Sequence, residues 1–283
     1  MTSAWAIVRY ALAESVRRRM FIVVLLLTAA FLALFWLGTR QLYKDTSSII
    51  PPAGIDADTL LGATLFGLAM FGTLFLGTVL AVFLTLSAVG GDAERGILQP
   101  IVVRPVGREA FLLARFAGAV GVCAVYVPLV YLAALAIVTG EGPWAPDRVV
   151  APALELTLAV AIVVALSLLG SVFLSTTANG VGVFMIFGAG LVAGLLGQIG
   201  ETLNKASLKT IARDSSWVLP FEALYQDALH GITADTRGFT RVALQLGPFG
   251  GAQIGGRWLL PWTVVYLALV LGVAMYGFRR RDL

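Results

Sequence analysis

The stretch 91–115 reads GDAERGILQPIVVRPVGREAFLLAR and lies between two long apolar runs. Its charges and two prolines interrupt a chain that is otherwise 59% hydrophobic and only 13% charged. Soluble domains carry about a quarter charged residues, so this composition points to a membrane protein. The stretch is then a hinge between two spans, and the rest of the chain is read outward from it. Asp92 can cap a short helix whose first turn holds Glu94, where the helix dipole favours an acid. Ile97, Leu98, Ile101 and Val102 supply an apolar side, with Arg95 and Arg104 among the polar groups. Pro105 and Gly107 break the backbone before the next apolar run. A plain connection needs only about 2–8 residues, so the segment 90–110 is longer than a turn requires. Physics alone leaves two readings: a cytoplasmic knob that enters a partner's groove, or an interfacial loop facing lipid.

Crossing about 30 Å of hydrocarbon takes about 20 apolar residues. Six runs qualify, near 20–38, 61–89, 112–139, 152–175, 181–200 and 258–278. Irregular backbone cannot face lipid, so each is read as a helix, and the expected class is an all-α membrane protein in one transmembrane domain, 1–283. Pro128 is expected to kink the third. Six spans place both termini on one side. Arg9, Arg17, Arg18, Arg19, Arg95, Arg104, Arg108, Arg115, Arg279, Arg280 and Arg281 all fall on the side of the termini and the quoted stretch. The short loops opposite hold only Arg40, Lys44 and Arg148, so the positive-inside rule makes the arginine side cytoplasmic. The arginines are accounted for by the membrane, and no nucleic-acid partner is expected.

Residues 3–18 repeat Trp5, Val8, Leu12 and Val16 at helical spacing, with Arg9, Ala13 and Arg17 on another face. They are expected to lie along the inner leaflet as an interfacial helix, in contact with membrane lipid; a frayed tail is the alternative. A signal peptide is the rival reading of this end. The run closes in bulky FLALFWLGTRQLY without a small-residue cleavage site, so a retained span is expected. On the opposite side, 201–257 includes PFEALYQDALHG, with Pro220 at a first helical position and Gly231 at the end. Phe221, Leu224, Tyr225, Ala228 and Leu229 form its apolar face, opposite Glu222, Gln226 and His230. A short helix resting on the outer membrane surface is predicted.

Between the ends of the six spans no ionisable side chain is expected, Glu155 being the nearest exception. Ion-coupled transporters place titratable groups at membrane depth, so this census argues against self-powered transport. His230 is the only histidine and Cys123 the only cysteine, so histidine-rich metal centres and disulfides are excluded. A catalytic triad would have to use His230 with Ser215, Ser216 or Asp227; a surface histidine is the simpler reading. No G-x-x-x-x-G-K-[ST] phosphate loop occurs, so no catalytic residue, cofactor site or metal site is assigned to this chain.

Thr64, Phe71, Thr78 and Thr85 recur at multiples of seven in the second run, near one helical face. They either line a translocation pathway or bond back to their own backbone. Gly190, Gly194 and Gly197 form a small-residue face on the fifth run that admits another helix, from this chain or another copy.

The stretch DAERGILQPIVVRPVGREAFLLAR resembles the cytoplasmic segment after the second span of type-2 ABC exporter permeases. Their pattern runs E-x-G-T-L, aliphatics, R-P-x-S-R and a leucine-rich stretch ending in G-K. Glu94, Gly96, Leu98, Arg104, Pro105 and Arg108 match, whereas Ile97 replaces Thr, Gly107 replaces Ser, and Ala114-Arg115 replaces Gly-Lys. The layout is similar to single-domain permeases served by separate ATPases, including that of the nitrous-oxide reductase maturation transporter. The resemblance implies a dimeric exporter in the cell's inner membrane, made of two copies or of this chain with a sister permease. It also implies two ABC-type ATP-binding subunits holding ATP and Mg. Asp92, Glu94, Arg95, Gly96, Ile97, Leu98, Arg104, Pro105 and Arg108 would form the docking segment, and the second and fifth spans would line the path. A stand-alone transporter or channel and a membrane scaffold are the rival functions. An uncharged path suits a lipidic or weakly charged cargo, whose identity the sequence leaves open.

Overall fold

A computed structural model describes residues 19–46, 54, 56–86, 108–246 and 255–280. The interfacial segment 3–18 and all of the docking segment except Arg108–Ala110 lie outside these residues. The described chain is helical, with no strand among the described residues. Six helices are long and apolar enough to cross a membrane: α1 (Arg19–Thr46), α2 (Ala57–Thr85), α3 (Arg108–Glu141), α4 (Val150–Phe173), α5 (Thr176–Thr202) and α9 (Leu259–Arg280). Three shorter ones, α6 (Ala206–Val218), α7 (Pro220–Gly231) and α8 (Gly238–Leu246), separate α5 from α9. The chain is a multi-pass membrane protein.

The boundaries follow local chemistry. Asp56 caps α2 by accepting from the backbone N–H groups of Asp58 and Thr59 at 3.2 and 3.3 Å. The Thr59 hydroxyl also donates to it at 2.6 Å and holds this carboxyl below the usual carboxylate range. The first span runs to Thr46, eight residues past the expected end. Its extra turns keep their charges at the rim: the Arg40 guanidinium stacks on Trp36 at 5.6 Å, and Trp36 Nε1 donates to Glu141 of α3 at 2.8 Å. The helix α3 continues through Pro128 from Arg108 to Glu141.

Two ends can be distinguished. A basic end gathers Arg19, the close of α2, Arg108, the α4–α5 turn and Arg280. Here Glu109 of α3 pairs with Arg279 of α9, over a small core of Phe111, Leu112, Leu168, Val172, Ala274 and Phe278. A hairpin end holds the α1–α2 and α3–α4 connections and α6–α8. The main core lies between them, built from Phe66, Met70, Leu74 and Leu80 of α2, Tyr131 of α3, Leu156 and Ile162 of α4, and Phe221 and Leu224 of α7. Phe66 sits edge-on to Tyr131 at 5.1 Å. Helix α4 is the hub, packed against α2, α3, α5, α7 and α9.

The α6–α7 pair is inserted, not laid on a surface. Two residues past the end of α5, Asn204 takes a left-handed φ of 49°, which lets the Lys205 N–H reach back to the Gly200 carbonyl at 3.0 Å. The chain then doubles back. Leu208 of α6 lies against Gly200, and Phe221 and Glu222 of α7 lie against Gly190 and Gly194. Gly231, at the other end of α7, meets Pro152 in the first turn of α4. So α7 begins about ten residues down α5, roughly 15 Å of helix rise, and climbs back to the rim antiparallel to α4. This corrects the expectation of a surface helix: Glu222 is 6% exposed and Gln226 5%, on the face expected to meet water.

Candidate functional site

At the basic end, α2 ends at Thr85 with Leu86 as its cap, and α3 begins at Arg108, so these two helices flank the stretch that the sequence assigns to docking. Of the residues assigned to it, Arg108 opens α3. Asp92, Glu94, Arg95, Gly96, Ile97, Leu98, Arg104 and Pro105 lie outside the described residues. Both anchors are fixed by polar contacts. The α3 anchor is the Glu109–Arg279 pair just described. The α2 anchor is a buried clasp one residue before Leu86. Thr85 Oγ1 bonds back to the Ala81 carbonyl at 2.8 Å and meets Ser167 Oγ of α4 at 2.7 Å. The Ser167 carbonyl accepts from Asn179 Nδ2 of α5 at 2.9 Å. Thr85, Ser167 and Asn179 are all essentially inaccessible to solvent.

Asn179 fits because Gly170 lacks a side chain: any Cβ there would overlap Asn179 Oδ1. That oxygen is buried without a hydrogen-bond partner, which leaves an acceptor of unusually high cost in the joint. Three helices thus meet at one neutral polar point beside the C-terminal end of α2.

The threonine stripe is divided by its contacts. Thr64 bonds back to the Leu60 carbonyl at 2.7 Å, and Thr85 does both this and the clasp. Thr78 is fully buried, and its hydroxyl has no hydrogen-bond partner among the described residues. Phe71 meets Tyr225 of α7 at 6.4 Å, so the upper stripe faces the inserted hairpin. The glycine face of α5 also finds its partner within the chain: Gly190 and Gly194 receive Phe221 and Glu222, and Gly197 is buried. Phe187, one turn below Gly190, stacks on Phe221 at 5.6 Å.

Glu222 is the most deeply buried carboxyl among the described residues. Its nearest bond is from Gln226 Nε2 at 2.8 Å, and burial pushes the carboxyl up to about 7. Search along the six long runs could not find it, because it belongs to a short helix in the outer segment. The ionisable census also needs amending for Arg115, which sits two turns inside α3 with its guanidinium 5.4 Å from the Phe111 ring. Glu155 lies in the second turn of α4, with Oε2 buried and lacking a hydrogen bond.

The triad is not assembled. The Ser216 hydroxyl donates to the Arg213 carbonyl at 2.6 Å, and Asp227 accepts from the Gly255 N–H at 2.8 Å. His230 is half-buried with Nε2 3.3 Å from Arg241. Burial first, and then the Arg241 charge, hold it below the usual histidine range.

No curated protein matches the chain. A family profile described as ABC-2 family transporter protein matches residues 5–283, which takes in all six long helices, the inserted hairpin and the stretch between α2 and α3. On that match the chain belongs to the ABC-2 transporter family and is a permease component of an ABC transporter.

Proposed function

We propose that this permease is driven by two separate ABC-type ATP-binding subunits and exports its substrate as a dimer with a second copy or a sister permease. The basic end faces the cytoplasm, and the docking segment centred on Glu94 and Arg104 receives the motor. ATP and Mg belong to the partner subunits. The observation that supports this most is the position of the segment. It is tethered between α2 and α3 at the arginine-bearing end, with the Thr85 clasp and the Glu109–Arg279 pair holding its roots.

A transporter with a nearly uncharged interior needs work from outside, and rigid packed helices carry that work best. Similarity to the nitrous-oxide reductase maturation permease is a proposal about the type of assembly, one permease chain with separately made ATPases. The inner membrane of the cell is the expected location.

The test reverses charge in the complex of full chain and co-produced ATPase, reconstituted in liposomes. Glu94→Arg and Arg104→Glu should each abolish substrate-stimulated ATP hydrolysis while both subunits still reach the membrane. Unchanged coupling in both variants would overturn the proposal. So would transport by the chain alone in liposomes without a nucleotide-binding partner, which is the behaviour of a secondary transporter or channel.

A further inference from the structure

We infer that the hairpin end carries a binding site for the phosphate headgroup of an anionic phospholipid, between α6 and the start of α9. A cleft of about 260 Å³ lies there, lined by Arg213, Ser216, Trp217, Trp258, Leu259 and Trp262. Its shape is fixed by its own aromatic wall. Trp217 and Trp262 meet edge-on at 5.4 Å, and Trp262 Nε1 donates to the Trp217 carbonyl at 2.9 Å. This bond locks the tip of the hairpin to the first turn of α9.

Tryptophan at a membrane interface needs no ligand to explain it. Charge is what sets this cleft apart. Arg213 lines it directly, and Arg257 stands between the lining Gly256 and Trp258, over the Trp258 ring at 5.8 Å. Lys209 precedes Arg213 by four residues on one face of α6, and Lys205 sits at the N-cap of that helix, so basic residues lead toward the cleft. Two acids lie beside it among the described residues: Asp227, engaged by the N–H of the lining Gly255 at 2.8 Å, and Asp214, 3.7 Å from Arg213, with the Arg213 and Asp214 side chains about 70% exposed. So exposed a pair neutralises little of that basic charge.

The surround is apolar. Ile211, Trp217, Val218 and Trp258 are each about half to two-thirds exposed, a surface that belongs against acyl chains. A cleft with two guanidiniums beside it and greasy walls matches a molecule with a phosphate at one end and hydrocarbon at the other. Soluble anions would use the charges and leave the aromatic wall wet. A neutral lipid would use the wall and leave the guanidiniums without a partner anion. An anionic phospholipid uses both. The site is independent of the transport proposal, because it lies at the opposite end from the docking segment.

Native mass spectrometry of the purified full chain tests this, after offering equal amounts of phosphatidylglycerol and phosphatidylcholine. The wild type should retain phosphatidylglycerol by about tenfold over phosphatidylcholine. Arg213→Ala/Arg257→Ala should lose most of that preference, and Arg213→Lys/Arg257→Lys should keep part of it. Arg40→Ala/Lys44→Ala removes two positive charges from α1 at the same end and should leave the preference intact. The inference is overturned if the alanine pair retains phosphatidylglycerol as the wild type does, or if the α1 pair loses it equally. Displacement of the lipid by soluble glycerol phosphate at similar concentration would also overturn it, by showing a site for a free anion.

Discussion

Two of the polar points buried among the described residues solve the same problem in different ways. At the basic end, Thr85, Ser167 and Asn179 join three long helices through neutral groups. At the hairpin end, Glu222 brings a carboxyl into the bundle on a twelve-residue helix, with a glutamine amide as its bonded neighbour. Hydroxyls and amides are cheap enough to bury that they can be part of a spanning helix. A carboxyl is not, so it arrives late in the chain, on an element that does not cross the bilayer, and it is favoured in its protonated form. The clasp therefore sets how three helices lie together. The hairpin's acid, raised by burial, leads to the prediction that the seating of α7 depends on pH.

Breaking the hairpin side should give the largest effect. Phe221 is fully buried and packs on Gly190 and Phe187. Phe221→Ala should cost about 3–5 kcal/mol by opening a cavity. Thermal unfolding in detergent would read this, together with faster proteolysis within 203–219. On the clasp side, Asn179→Leu removes the amide donor that ties α5 to the Ser167 carbonyl and should cost about 0.5–1.5 kcal/mol. If the clasp transmits motion, the same variant should also lower ATP-driven transport more than basal ATP hydrolysis. An equal fall in both would reduce the clasp to a packing device.

The smallest effect sharpens the comparison. The Glu222 carboxyl is raised on folding, so its contribution is fully present below the ordinary carboxyl range and is lost as pH rises toward about 7. The unfolding temperature should accordingly fall between about pH 5 and 7 and then level off. Glu222→Gln should flatten that slope with little change at pH 5. An unaltered slope would place the titration elsewhere.

How much of this could be read in the sequence depends on which force decides each feature. The six long helices were legible because the bilayer imposes one rule on length and apolarity, and TM boundaries moved by only a few residues except at α1. There Arg40 and Lys44 looked like a stop, yet a helix end at the rim tolerates long cations that reach water. The glycine face of α5 was visible as a pattern, but its partner was not, since Gly190 and Gly194 do not say which helix they admit. The insertion of α7 was missed for a related reason. An amphipathic twelve-mer looks the same whether its apolar face meets lipid or protein, and the burial of Glu222 and Gln226 follows from the turn at Asn204 that sends the chain back. Asn179 left a faint signal, an amide at the start of a greasy run. Its joint with Ser167 and Gly170 is tertiary and has no local signature.

The reversal at Asn204 has a consequence for how the protein is made. Twelve residues of α7 rise only about 18 Å, too short to cross a bilayer, so the insertion machinery has no reason to place that helix. Its seat is formed by α2, α4 and α5, and does not exist until those three stand together. The hairpin must therefore slide home from the far side after the long helices have been laid down, as a separate closing step in biogenesis that can fail even when every span has been correctly threaded.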